Sequence, residues 1–309
     1  MPQALRPPSL DPVAAARWQA LPKLDAQSPW LHEEVATRMQ ERLDFIKLQP
    51  QHWVHWGALR GGLAAHRALE QRYPKAQVWL AGELQAHAHV TQQALQAPWW
   101  QAQHWFGPKP QQGLPPDHSA QMVWANMHLH ASAEPQALLQ TWHRALAVDG
   151  FLMFSCLGPD TLGELRQVYG QAGWPEPAHE FTDMHDWGDM LVQAGFAEPV
   201  MDMERITLTY ATPDRLLADL RSLGRNLHIQ RFAGLRGGAW RQRLCELLLK
   251  LAKPQEDGRL ALSFEIVYGH ALKPKPRMKM GQQTEIGLDQ MRQMLRSAGG
   301  SGGGISDKV

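Results

Sequence analysis

The chain has 309 residues, 44% of them hydrophobic, and 31 Lys and Arg set against 30 Asp and Glu leave a net charge of +1. This is enough apolar material for one large α/β domain with an elaboration, or for two small domains, and it excludes disorder over most of the length. The balanced charge gives no electrostatic footprint for nucleic acid or an anionic membrane, and two cysteines, Cys156 and Cys245, supply neither a disulfide framework nor paired zinc spacing.

Residues 1–28 carry Pro2, Pro7, Pro8 and Pro12 without a sustained period and read as a flexible arm with no signal-peptide core. From Trp30, apolar Leu31, Val35, Met39, Leu43 and Ile46 recur at helical spacing, so the pattern predicts an amphipathic helix ending before Pro50. Short apolar runs then alternate with helical segments. Strands are expected near 53–56, 77–81 and 120–125, with helices over 62–72, 86–95 and 135–146, the signature of a parallel sheet covered by helices. Asp149 and Gly150 turn the chain into an uninterrupted apolar strand, Phe151 to Leu157, of the kind buried on both faces.

A helix carrying Met184, Trp187, Leu191 and Ala194 stops at Gly195, and a strand over 200–210 follows. Residues 212–257, dense in helix formers and Arg, form a helical insertion in this reading. The last strand, 259–272, alternates: Leu260, Leu262, Phe264, Ile266 and Tyr268 on one side, Ser263 and Glu265 on the other. The remaining 275–309, with a short helical candidate at 285–297 and a Gly-rich end, read as a largely disordered tail. No run is long enough to span a bilayer, and the expected location is the cytoplasm.

Two places carry candidate chemistry. Gly57, Gly61 and Gly62 follow the first strand, where a glycine turn lets backbone amides approach a ligand, and Glu83 ends the second strand, where an acid can accept from both hydroxyls of a ribose. Taken alone, this pair reads equally as a chance turn beside an exposed acid. Gly158, Asp160 and Thr161 open directly from a buried strand at the sheet's carboxyl end, where ligands sit in such folds; a capped helix start explains them as well. The pairs His87/His89 and His128/His130 lack a completing ligand set, so no metal is expected. Trp99, Trp100 and Trp105 read as packing or a hydrophobic loop.

Four stretches add a more specific signal: Phe154 to Arg166, Asp183 to Leu191, Asp202 to Tyr210, and Tyr268-Gly269-His270-Ala271. In this order, over 29–274, the chain resembles the methyltransferases that make malonyl-acyl-carrier-protein methyl ester in biotin synthesis. The resemblance implies an α/β, Rossmann-like seven-stranded sheet whose last strand is antiparallel, with helices on both faces and the helical insertion before the last strand. It also implies S-adenosyl-L-methionine held by Gly57 and Gly61, with Glu83 on the ribose and Asn126 beside the sulfonium.

The family's Asp before the first Gly is replaced by His55, which joins the expected cofactor set, and its central Gly is replaced by Leu59. The family's tyrosine-bearing leading helix has no clear match in Arg17 to Ser28. The expected reaction methylates the free carboxyl of a malonyl thioester on acyl-carrier protein. Its nucleophile is already ionised, so the demand is for alignment, and no acid–base residue is named. Gly158, Asp160, Thr161, Arg205 and Arg221 are the expected substrate contacts, and Arg225 and Arg231 extend the supply of cations, Arg being suited to gripping a carboxylate. His55 and Leu59 prompt a rival reading, a catalytically weak or inactive protein that keeps the fold as a binding or assembly module. A nicotinamide oxidoreductase is disfavoured because no G-x-G-x-x-G occurs at the first strand turn. The oligomeric state stays open.

Overall fold

A computed structural model describes residues 7, 9–22, 27–96, 108–250 and 258–276. The strands are β1 (His52–Trp56), β2 (Gln77–Ala81), β3 (Gln111–Gln112), β4 (Ala120–Asn126), β5 (Leu146–Leu157), β6 (Ala197–Tyr210) and β7 (Leu260–Leu272), joined in the order β3-β2-β1-β4-β5-β7-β6. Strands β1 to β5 pair in parallel, and β7 runs antiparallel to both β5 and β6. This is the sheet the resemblance implied.

The helices are α1 (Pro12–Ala20), α2 (Trp30–Glu41), α3 (Ala58–Gly61), α4 (Leu63–Arg72), α5 (Gln85–Leu95), α6 (Pro135–Ala145), α7 (Gly163–Gln171), α8 (Met184–Gln193), α9 (Pro213–Leu223) and α10 (Gly238–Leu249). One apolar cluster joins α2, α4 and the insertion helices α9 and α10 to one face of the sheet through Met39, Trp53, Leu69, Trp124, Leu216 and Leu244. A second joins α6 and α8 to the other face through Leu139, Trp142, Trp187 and Leu191. Burying a large apolar side chain contributes about 1.5–3 kcal/mol, so these two clusters fix the three-layer arrangement.

The segment expected to be a flexible arm instead carries α1. Asp11 caps it by accepting from the Val13 N–H at 2.8 Å, and Pro12 occupies the first turn, where its missing N–H costs nothing. Ala14 and Ala15 pack with Leu10 and Leu227, so the arm is docked on the segment after α9. The alternation expected in β7 is real in sequence but not in burial. Residues 260–269 are all buried, because β7 is flanked by strands on both edges and covered on both faces. The strand expected from Phe151 begins earlier, at Leu146, and Asp149 takes φ 64° within it.

The insertion is helical over α9 and α10, with irregular chain between. The tail beyond 276, its helical candidate at 285–297, and Trp99, Trp100 and Trp105 lie outside the described residues. No helix among the described residues is long and apolar enough to cross a membrane.

Candidate active site

The turn after β1 begins at Gly57, whose φ of 65° is left-handed and strains any side chain. Its N–H donates to the Ala81 carbonyl at 2.7 Å, which ties the turn to the end of β2. Beside it, Glu83 accepts from the Leu59 N–H at 2.7 Å through one carboxylate oxygen and from the Thr91 hydroxyl at 2.6 Å through the other. Gly57 and Glu83 therefore meet at one end of the sheet, as the two-strand arrangement requires. The Leu59 side chain, expected to intrude on a ligand, is only 1% exposed and packs in the core, while its N–H turns to Glu83.

Above the turn lies the ring of His128. Its Nε2–H donates to the Gly57 carbonyl at 2.9 Å, and a Cβ built on Gly57 would come within 2.1 Å of that nitrogen. A Cβ on Gly61 would meet the same ring at 3.5 Å. Desolvation, together with the Arg60 charge, lowers His128 to about 4 against the effect of its Gly57 bond, so the ring is neutral. The space over both glycines is filled by a side chain of this chain.

Two expected cofactor residues face inward. His55 is fully buried, stacked on His66 with their Nδ1 atoms 3.0 Å apart, and burial holds its pKa well below the usual histidine range. Asn126 is also fully buried: its amide donates to the His32 carbonyl at 2.8 Å and to the Gly61 carbonyl, and its oxygen accepts from the Ser155 hydroxyl at 2.6 Å. It staples the glycine turn to β5 and α2, and presents no free group to a sulfonium.

The Gly158 turn is also tied internally. Buried Glu265 accepts from the Asp160 N–H at 2.8 Å, the buried Thr161 hydroxyl exchanges bonds with the Glu265 backbone at 3.1 Å, and a Cβ on Gly158 would strike the Glu265 carboxylate. Asp160 pairs with Arg205 at 2.8 Å on the surface. The expected substrate contacts Gly158, Asp160, Thr161 and Arg205 thus form a braced turn instead of a pocket wall. Glu265 was the residue sequence reasoning passed over. A lone acid in an otherwise apolar central strand was its signal.

Arg221 stands apart from these. It lines a cavity of about 470 Å³ whose floor is Met127, Leu157, Leu162 and Phe264 and whose wall is the insertion, through Leu217, Leu220, Trp240 and Leu244. Arg225, Arg236 and Arg241 are on the same wall. Arg236 sits over the rings of Trp240 and Phe232, each 4.4 Å from its guanidinium carbon. Arg231, by contrast, is held by Asp11 at 2.6 Å.

His130 and His179 also line the cavity. His179 donates through Nε2 to the His130 carbonyl at 2.9 Å, and desolvation lowers its pKa to about 4. The result is an apolar chamber at the carboxyl ends of β4 and β5, with neutral imidazoles inside and cations along one side. Such a chamber suits an acyl group bearing one negative end.

No protein-family model matches the sequence. A solved structure of a candidate methyltransferase from Bacillus halodurans superimposes with a TM-score of 0.52 at 14% identity, covering 78% of this chain and 100% of that one, which shows the fold alone. The chain is 39% identical to the malonyl-acyl-carrier-protein O-methyltransferase of Laribacter hongkongensis, over 83% of its own length and 88% of that protein's. It is 42% identical over 257 residues to the same-named protein of Gallionella capsiferriformans, covering 80% of this chain and 86% of the relative. With the sheet order and the glycine turn beside an acid in place, similarity of this extent identifies the chain as a member of the malonyl-acyl-carrier-protein O-methyltransferase family.

Proposed function

We propose that this chain transfers a methyl group from S-adenosyl-L-methionine to the free carboxyl of a malonyl thioester carried by acyl-carrier protein, in the cytoplasm. The observation that carries the acceptor half is Arg221, with other arginines of the insertion, on the wall of a cavity whose floor is apolar. A malonyl carboxylate needs one cation, and the thioester side needs apolar cover.

For the cofactor, the donor set fits in kind. The Glu83 carboxylate is part-exposed and spends one acceptor site per oxygen on Leu59 and Thr91, which leaves one per oxygen for the two hydroxyls of a ribose. Gly57, Gly61 and Glu83 would hold the cofactor, while His55 and Asn126 support the turn from beneath. When bound, the cofactor supplies an electrophilic methyl group.

This chain's residues do the rest. Arg221 orients the carboxylate, and Leu157, Leu162 and Phe264 exclude water from it. Because the acceptor is already ionised, no protein group has to move a proton, and alignment supplies the rate. The imidazoles of His130 and His179 stay neutral, so the positive charge of the chamber is confined to the arginines of the insertion wall.

The test is direct. Purified protein is given cofactor labelled on its methyl group together with malonyl-carrier protein, and the product is weighed. A methyl ester on the malonyl group is expected, with Arg221→Gln raising KM. Label on any other group, or unaltered kinetics in that variant, overturns the assignment. One observation favours a second reading, the noncatalytic module: His128 covers Gly57. Calorimetric titration showing no association with millimolar S-adenosyl-L-methionine would select it.

A further inference from the structure

Most arginines whose side chains pack in this fold are matched by a carboxylate: Arg38 by Glu34 and Glu204, Arg42 by Asp202, Arg72 by Asp44, Arg166 by Glu176, Arg231 by Asp11. Arg236, over Trp240 and Phe232, is not, and neither are Arg60 and Arg225, which share one indole. The Arg60 guanidinium carbon lies 3.9 Å from the Trp18 ring centroid and that of Arg225 lies 5.1 Å from it. Among the described residues neither pairs with an acid. Arg60 donates only to the Leu21 carbonyl, at 3.4 Å, and Arg225 only to the carbonyls of Arg221 and Gly224.

Holding like charges on one ring is unfavourable. Partial burial lowers the pKa of Arg60 and of Arg225; the Arg225 charge lowers Arg60 further, against the opposing effect of Glu83, and the Arg221 charge lowers Arg225. Cation–π contact with Trp18 offsets part of this cost, but an anion near both guanidiniums would offset more.

The place is also defined. A surface groove of about 740 Å³, lined by Ser28, Trp30, Arg60 and Arg67, joins the acceptor cavity at Trp18, Arg221 and Arg225. The acid on that groove, Glu33, has both oxygens engaged by the Ala64 and Ala65 N–H groups at 3.0 and 3.2 Å. Trp18 thus stands where the groove and the cavity meet.

We propose that Arg60 and Arg225, gathered on Trp18 at the mouth of the cavity, bind the phosphate of the prosthetic arm that carries the acyl group. This rests on the reading above that the acceptor is carrier-bound, and it gives the two arginines on the indole a role separate from that of Arg221, the neighbouring junction residue assigned to the carboxylate. A carrier's arm ends in a phosphodiester outside the cavity while its thioester lies within. An anion site at the mouth therefore sets how deep the thioester reaches.

The test uses the full chain and two probes, phosphopantetheine and pantetheine, titrated calorimetrically at low salt. Phosphopantetheine should bind about tenfold or more tighter, the worth of a charge-assisted contact. That preference should shrink in Arg225→Gln and fall to about onefold in Arg60→Gln/Arg225→Gln, with the melting temperature checked in each variant. Arg205→Gln, which removes a surface cation elsewhere, should keep it. Equal affinity for the two probes in the unaltered protein, absence of binding by both, or a preference surviving the double replacement overturns the site. Methyl transfer is measured separately: a chain that prefers the phosphorylated probe yet methylates nothing keeps this site and loses the proposed function, and a chain that methylates without the preference does the reverse.

Discussion

Asn126 gives the sharpest test of how the glycine turn is held. Replacing it with Ala removes the donors to the His32 and Gly61 carbonyls and the acceptor for the Ser155 hydroxyl, all at a fully buried position. Leaving buried partners unmatched costs about 1–3 kcal/mol each, and the helical carbonyl of His32 retains its own helix bond, so about 3 kcal/mol is expected in sum. For a domain of this size that lowers Tm by roughly 6–12 °C. Asn126→Asp keeps the shape but turns a donor into an acceptor aimed at two carbonyls.

Burial and those carbonyls raise the folded-state pKa of the introduced carboxyl above its unfolded value. The variant therefore keeps its stability at acid pH and loses it as pH rises through the raised pKa. Urea unfolding at pH 5 and pH 8, with calorimetric titration of S-adenosyl-L-methionine alongside, reads both effects. If Asn126→Ala changes stability by less than about 1 kcal/mol while weakening the cofactor, the residue faces the ligand and the account of the staple is wrong.

Other consequences follow from the same turn. His128→Ala clears the space over Gly57 and Gly61 and removes a hydrogen bond that a ligand must otherwise break, so S-adenosyl-L-methionine should bind up to about tenfold tighter; weaker binding by calorimetry would show the ring to be part of the site. Gly57→Ala should destabilise the fold through both its positive φ and the His128 contact, and pairing it with His128→Ala should recover the contact share but not the backbone share in a denaturation cycle. His55 and His179 are buried and neutral, their folded pKa values depressed chiefly by desolvation. The stability they support is complete above the unfolded pKa near 6.5 and is lost as pH falls toward about 4, where His179 titrates. Between pH 6.5 and 5.5 the two together should account for a loss of about 2 kcal/mol, and His179→Gln should flatten that slope in urea titrations; an unchanged slope would refute the assignment.

What the sequence made legible was periodic. The strands expected at 77–81 and 120–125 and the helices α6 and α8 carry apolar residues at the spacing their burial demands, and Gly195 marks the end of α8. α1 was missed because Ala and Pro give no amphipathic stripe, although the Asp11-Pro12 start was present. β3, two exposed residues long, has no period to detect.

The site was legible in outline only. Gly57 beside Glu83 could be placed from topology. That His128 would cover Gly57, that Asn126 would spend its amide beneath the turn, and that Glu265 would brace Gly158 depend on side chains brought together from 29 to 107 residues apart, which no local pattern encodes. Arg221 was distinguishable from its neighbours only once the insertion had folded over the sheet.

The position of β7 bears on how this protein is made. Among the described residues it is the last strand to leave the ribosome, yet it lies between β5 and β6, and β6 pairs with no other described strand. Until residue 272 emerges, a growing chain carries two long strands with open hydrogen-bonding edges, and a premature stop anywhere in the insertion leaves them so permanently. Shortened products should therefore accumulate as aggregates, and the half-built sheet is where a chaperone would be needed.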